Sequence, residues 1–149
     1  MNNVKILAIS SSGGHWIQLL RLKKFFGNYT TFYASTDSSL ASMVEGKFYS
    51  LRDASMWDKP GLVILAFQII WLLMKVRPDV IVTTGAAAGF FAIVFGKFIG
   101  AKTIWIDSMA NADEMSLAGM KVKKFADVWL TQWPALATDK GPYYRGQVL

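Results

Sequence analysis

The chain has 149 residues, 53% of them hydrophobic, and 16 Lys and Arg against 10 Asp and Glu give a formal net charge of +6. That length suits one domain with a real core, residues 1–149. The absence of cysteine excludes disulfides and thiolate metal sites, and a single histidine argues against a zinc cluster, so no metal or cofactor is expected.

Residues 4–10 read as a buried first strand, and the apolar spacing from Trp16 to Phe26 as a first helix. Between them, Ser10-Ser11-Ser12-Gly13-Gly14-His15 forms a tight strand-to-helix loop. Gly13 and Gly14 accept backbone angles closed to other residues and let a ligand approach the main chain. Ser11 and Ser12 add hydroxyls, and amides at the helix start suit a phosphate or carboxylate. His15, the only histidine, stands where such a ligand would lie. The loop is neither the Gly-x-Gly-x-x-Gly fingerprint nor a Walker loop. A plain turn with His15 packed or capping is the competing reading. The carboxyl edge of the first strand, where open α/β sheets bind ligands, favours a ligand loop.

Residues 31–34 make a second strand, Asp37 starts a short helix ending at Gly46, and residues 48–51 make a third strand. Residues 52–60 form a polar, irregular loop. In residues 62–74 only Gln68 is not apolar, and Lys75 and Arg77 follow. Thirteen residues make a helix of about 20 Å, short of a hydrocarbon core of about 30 Å. Two readings stand: a buried crossover helix, or a helix meeting the membrane surface with Lys75 and Arg77 at headgroup height. Ile69, Ile70, Leu73 and Met74 are neighbours on one side, which the sequence assigns neither to the sheet nor to the outside; Trp71 and Leu72 are then candidates for the other side and for membrane contact.

Residues 79–84 make a fourth strand running into Gly85-Ala86-Ala87-Ala88-Gly89, a small-residue turn that suits either a ligand or tight helix packing. A helix over 90–99, a strand over 102–106 carrying Asp107 to its end, and a polar loop with Asn111 and Glu114 follow. A helix over 116–126 and a strand over 128–131, ending in Gln132-Trp133-Pro134, close the pattern. The alternation predicts an α/β fold, a Rossmann-like, mostly parallel sheet with helices on both faces. Basic residues and aromatics do not interleave as on an RNA platform, so nucleic acid is not the expected anion.

The segments Ser-Ser-Gly-Gly-His at 11–15, Thr-Thr-Gly-Ala-Ala-Ala-Gly at 83–89, Ile-Asp-Ser-Met-Ala-Asn at 106–111 and Ala-Asp-Val-Trp-Leu-Thr-Gln-Trp-Pro at 126–134 together resemble the Alg14-like family of polysaccharide-biosynthesis proteins. Bacterial capsule and exopolysaccharide proteins of the PssD/CpsF type belong to that family. The chain is also similar to the N-terminal half of MurG-type transferases. The resemblance implies one half of a GT-B glycosyltransferase that binds a lipid-linked oligosaccharide acceptor. A separate Alg13-like partner would hold most of the UDP-sugar donor, and the isolated chain would be weakly active or inactive. Eukaryotic relatives have an N-terminal transmembrane anchor. Here the first strand begins almost at once, so the expectation is peripheral attachment to an anionic membrane, at the cytoplasmic face, through residues such as Trp71, Leu72, Lys75 and Arg77.

Within this resemblance, His15 is a candidate general base or acceptor contact, and Asp107 a candidate base or orienter of His15. Asp107 stands where many bacterial relatives have Glu, which keeps the carboxylate and shortens its reach; a loop-capping Asp is the alternative. Ser11, Ser12, Gly13, Gly14, Gly85, Asn111 and Glu114 are candidate substrate contacts, and Gln132 and Trp133 are expected to face the cleft or the partner. The competing class is a stand-alone nucleotide- or NAD(P)-dependent enzyme, for which Asp37 is the only ribose-binding candidate.

Overall fold

A computed structural model describes residues 2–148. Seven strands form one sheet in the order β3-β2-β1-β4-β5-β6-β7, with every neighbouring pair parallel. They are β1 (Asn2–Ile9), β2 (Tyr29–Ser35), β3 (Phe48–Ser50), β4 (Val80–Thr83), β5 (Lys102–Ile106), β6 (Val128–Thr131) and β7 (Tyr143–Tyr144). The helices are α1 (Gly14–Leu20), α2 (Lys23–Phe26), α3 (Lys59–Val76), α4 (Ala86–Phe98) and α5 (Leu117–Lys121).

Strand alternation sorts the core into two layers. Leu7, Ile9, Ile81 and Trp105 point to one face, where Leu65, Ile69, Leu72 and Leu73 of α3 and Ala88, Ala92 and Ile93 of α4 cover them. Ile6, Ala8, Val82 and Ile106 point to the other, against Trp16 and Leu19 of α1 and Phe26 of α2.

Several boundaries differ from the sequence expectation. The first helix divides, because the amides of Arg21 and Leu22 donate to carbonyls only three residues back and tighten the chain into α2. α3 begins three residues before the apolar run. Asp58 caps it by accepting from the Gly61 amide at 2.9 Å, and Pro60 sits in its first turn. At 18 residues, about 27 Å, α3 is the one helix among the described residues long and apolar enough to cross a membrane by length and composition alone. Its Leu65, Ile69, Leu72, Leu73 and Val76 are nevertheless buried against the sheet, so lipid cannot surround it while the fold is intact. β7 was not expected at all; two residues carry no periodicity to detect.

The start of β5 is fixed by Asp127, whose carboxylate accepts from the Thr103 amide at 2.9 Å and from Lys97 Nζ at 2.6 Å. The hydrogen bond from Lys97, followed by those from Thr103, holds this carboxyl below the usual range against the opposing effect of partial burial. A carboxyl depressed in the fold stabilises it above the unfolded value of about 3.9 and loses that contribution as pH falls through the folded value. Asp127→Asn should therefore lower the melting temperature at neutral pH and give a shallower acid branch below about pH 4, read from thermal melts across pH.

Candidate functional site

The carboxyl ends of β1, β4 and β5 lie side by side, and the loops that leave them hold the candidate residues. After β1 the chain turns at Gly13, whose φ of 79° suits glycine. A Cβ at Gly13 or Gly14 would meet nothing within 4 Å, so main chain stands open there. Ser12 is held from the residue that follows β2: its amide donates to Thr36 Oγ1 at 3.0 Å, and Thr36 Oγ1 donates to Ser12 Oγ at 3.2 Å. The Ser11 carbonyl accepts from Ser10 Oγ at 3.0 Å.

His15, in the first turn of α1, leans on the β4 loop and not on Asp107. Its Nδ1 lies 3.0 Å from the carbonyl oxygen of Thr84, and Thr84 Oγ1 donates back to the His15 carbonyl at 2.6 Å. Gly85 is buried under the ring; a Cβ there would come within 2.9 Å of His15 Cε1 and Nδ1. The expected substrate-contact role for Gly85 is thus corrected: the space over its backbone belongs to His15.

Asp107 has the geometry of the loop-capping alternative. β4 lies between β1 and β5, so the strand ends bearing Asp107 and His15 are not neighbours. The Asp107 carboxylate is buried, accepting from Trp105 Nε1 at 3.0 Å, from the Ser116 amide at 2.9 Å and from Ser116 Oγ. It fixes the loop that starts α5, and Gly119 has no room for a side chain because its Cβ would fall 2.5 Å from Asp107 Oδ1. Each oxygen is bonded to at least one donor inside the fold, two on Oδ1 and one on Oδ2, which is the pattern of a carboxylate that holds a loop. Asn111 and Glu114 lie on the half-buried to exposed loop between β5 and α5.

A partly buried amide network carries no signal in the sequence. Gln18 Nε2 donates to Ser108 Oγ at 3.1 Å, while Gln18 Oε1 accepts from the Met109 amide at 3.1 Å and from Gln132 Nε2 at 2.7 Å. Gln132 also donates to the Asp107 carbonyl at 2.9 Å and accepts from the Val148 amide at 2.8 Å. Gln132 is 1% exposed, so it does not face a cleft or partner; it ties α1 to the loops after β5 and β6. One glutamine on a half-apolar helix gives no warning of this. Asp37, the ribose candidate, accepts from the amide and hydroxyl of Ser39 and caps a short 3-10 helix.

The membrane-contact residues divide. Leu72 is fully buried, because position 72 shares the sheet-facing side with Leu65, Ile69 and Val76; it is corrected from contact to core. Trp71 is 54% exposed, alongside exposed Val63, Ile64, Phe67, Ile70 and Met74. Lys75 lies over the Trp71 ring at 4.7 Å, and Arg77 caps α3 in a left-handed conformation at φ 49°. Near the N-termini of α3 and α4, Met56, Leu62, Phe90, Phe91 and Leu117 line an open apolar groove of about 380 Å³, with Lys59 and Lys121 at its sides.

An all-parallel sheet with glycine loops at its carboxyl edge and helices on both faces is the fold of one half of a GT-B enzyme. Crystallised MurG of Acinetobacter baumannii superposes with a TM-score of 0.78 at 9% identity, over 97% of this chain and 45% of that one. The UDP-GlcNAc 2-epimerase of Methanocaldococcus jannaschii superposes with a TM-score of 0.62 at 9% identity, over 92% of this chain and 40% of that one. The chain therefore spans less than half the length of these structures. The family model for oligosaccharide biosynthesis protein Alg14 like matches residues 54–148, and the chain belongs to that family. Named relatives are UDP-N-acetylglucosamine transferase subunits. The Yarrowia lipolytica protein is 26% identical over 91% of this chain and 76% of its own length, and the human one 23% identical over 99% and 84%.

Asp107→Asn separates a structural from a catalytic carboxylate. The amide would turn an NH2 toward one of the donors now bonded to the carboxylate, at a cost of about 1–3 kcal/mol. Urea unfolding should show that loss, while sugar transfer per folded molecule stays within about threefold of wild type, far less than the roughly 10²–10⁴-fold expected of a lost base.

Proposed function

We propose that the chain is the membrane-associated, acceptor-side subunit of a two-chain glycosyltransferase. The complex would transfer a sugar from a UDP-sugar to a polyprenyl-diphosphate-linked acceptor in capsule or exopolysaccharide assembly of the PssD/CpsF type. The carrying observation is a near-complete match to less than half of a GT-B enzyme, in a chain of the Alg14-like family. A GT-B reaction takes place between two such halves. An Alg13-like partner would bring the donor half, which fits relatives named as transferase subunits.

In this reading the acceptor's anionic part meets the open main chain at Gly13 and Gly14 beside Ser11 and Ser12, with Asn111 and Glu114 on the neighbouring loop available to sugar hydroxyls. His15 removes the proton from the attacking acceptor hydroxyl. That oxygen then bonds to the donor's anomeric carbon as the nucleoside diphosphate leaves, with the partner binding the leaving group. Transfer of labelled sugar to a polyprenyl-diphosphate acceptor should need both subunits. His15→Ala should lower turnover of the complex about 10²–10⁴-fold with little change in melting temperature. Full turnover by this chain alone, or normal turnover of the variant, would refute the respective claim.

Attachment to the membrane is supported by the outer face of α3. Val63, Ile64, Phe67, Ile70, Trp71 and Met74 are exposed along it, residues 59–78 contain no acid, and Lys59, Lys75 and Arg77 mark its ends. Full burial of one such large side chain stabilises by roughly 1.5–3 kcal/mol, and each basic residue near anionic lipid adds about 1 kcal/mol. The inner side of α3 stays on the sheet, so the helix lies along the surface at the cytoplasmic leaflet. Wild type should float with anionic vesicles, and Phe67→Ser/Trp71→Ser should float less while melting normally. Leu72→Ser should instead lower the melting temperature, through a loss of stability of roughly the 2–5 kcal/mol of a core truncation. Equal flotation of the double variant and wild type would overturn the assignment of this face.

A further inference from the structure

We infer that Thr84 and Gly85 are positioning residues that lock His15 in the tautomer protonated at Nδ1, and so present a lone pair at Nε2 to the ligand edge of the sheet. The deduction starts from the partner of Nδ1. A carbonyl oxygen has only lone pairs to offer, so the 3.0 Å approach of His15 Nδ1 to the Thr84 oxygen requires the proton on Nδ1. A neutral imidazole carries one proton, which leaves Nε2 as the acceptor. Nε2 makes no hydrogen bond among the described residues. Among the described residues, the buried side-chain nitrogens and oxygens without a partner are Trp16 Nε1 and Ser35 Oγ, so Nε2 reaches solvent.

The grip is mutual. Thr84 Oγ1 donates to the carbonyl of His15 at 2.6 Å, so the same residue holds both the main chain and the ring of His15. Gly85 supplies the floor. Its φ of 132° and the 2.9 Å that would separate an added Cβ from Nδ1 and Cε1 mean that only glycine admits the ring at this height. The floor is itself pinned, since the Gly85 amide donates to Thr83 Oγ1 at 3.1 Å. Turning the ring over would replace Nδ1–H by a carbon-bound hydrogen against the carbonyl. Keeping the ring while moving the proton to Nε2 would set two lone pairs against each other. Both arrangements lose the bond to Thr84.

The tautomer is a property of this chain alone; its catalytic consequence rests on the proposed transferase reading. The test uses the single histidine. In the isotope-labelled full chain, long-range nitrogen–proton NMR correlations of one imidazole identify which nitrogen bears the proton, above the pH at which the ring becomes neutral. Wild type and Thr84→Ser should show Nδ1–H with an unprotonated Nε2. Gly85→Ala, which pushes the ring off the Thr84 carbonyl, and Thr84→Val, which keeps that carbonyl but releases the His15 main chain from Oγ1, should both shift the population toward Nε2–H. In the complex with its partner, the same two variants should lower kcat by about 10–10²-fold at unchanged KM, the scale of an ångström-level displacement of a reacting group, and Thr84→Ser should restore it. A wild-type ring protonated at Nε2, or a tautomer indifferent to both substitutions, would overturn the lock. If Gly85→Ala proves unfolded by its melting curve, Thr84→Val decides. An Nδ1–H ring in a complex that transfers no sugar refutes the transferase reading and leaves the lock standing; transfer with an Nε2–H ring does the reverse.

Discussion

At Gly89 and Gly96, α4 lies on β4 with no space for even one methyl group. A Cβ at Gly89 would fall 2.2 Å from Thr83 Oγ1, and one at Gly96 would fall 2.2 Å from Ile81 Cδ1. Interiors packed to crystal density transmit such contacts without slack, so the two glycines set the height of α4 above the central strand. The turn that joins strand to helix has only Thr84 and Gly85 to work with, and their positions follow from that height. His15 rests on those two residues, α1 follows from His15, and Gln18 on α1 then gathers the loops after β5 and β6. A chain of close approaches thus runs from the middle of the sheet to the candidate site. A larger residue at Gly89 would press on Thr83, next to the turn that carries His15, whereas at Gly96 it would meet the movable tip of Ile81.

How much of this was legible in the residues depends on the range of the interaction. Strands β1, β2, β4, β5 and β6 were readable because each is a run of apolar and β-branched residues between turn formers, and the alternation with helices forced a parallel sheet. The start of α3 carried a readable signal in Asp58 and Pro60, hidden by the polarity of the loop around it. The face assignment of Trp71 and Leu72 was not readable, since α3 is apolar on both sides and periodicity needs contrast. Residue types also mislead where a carboxylate is concerned: Asp107 looked available for chemistry, and its donors, Trp105 and Ser116, are recognisable only in three dimensions. The Gln18–Gln132 bond joins residues 114 positions apart, beyond any local pattern.

α3 meets two opposite demands with one composition. Its inner side covers the sheet, and its outer side exposes six large apolar residues in a segment without a single acid. A soluble crossover helix would carry charge on that outer side. The lysines and arginine are kept to the ends, where Lys75 folds back over the rings of Trp71 and Tyr49. A cation over an aromatic face keeps the charge beside the apolar surface without cutting across it.

The two margins of the sheet are its shortest strands, three residues in β3 and two in β7. A parallel sheet ends in rows of unpaired amides and carbonyls, and long rows template the addition of further chains. Here each row is too brief to hold a foreign strand in register. Chains crowded together would accordingly have little means of zipping into fibres through their backbones. Any assembly they enter must be specified by side chains.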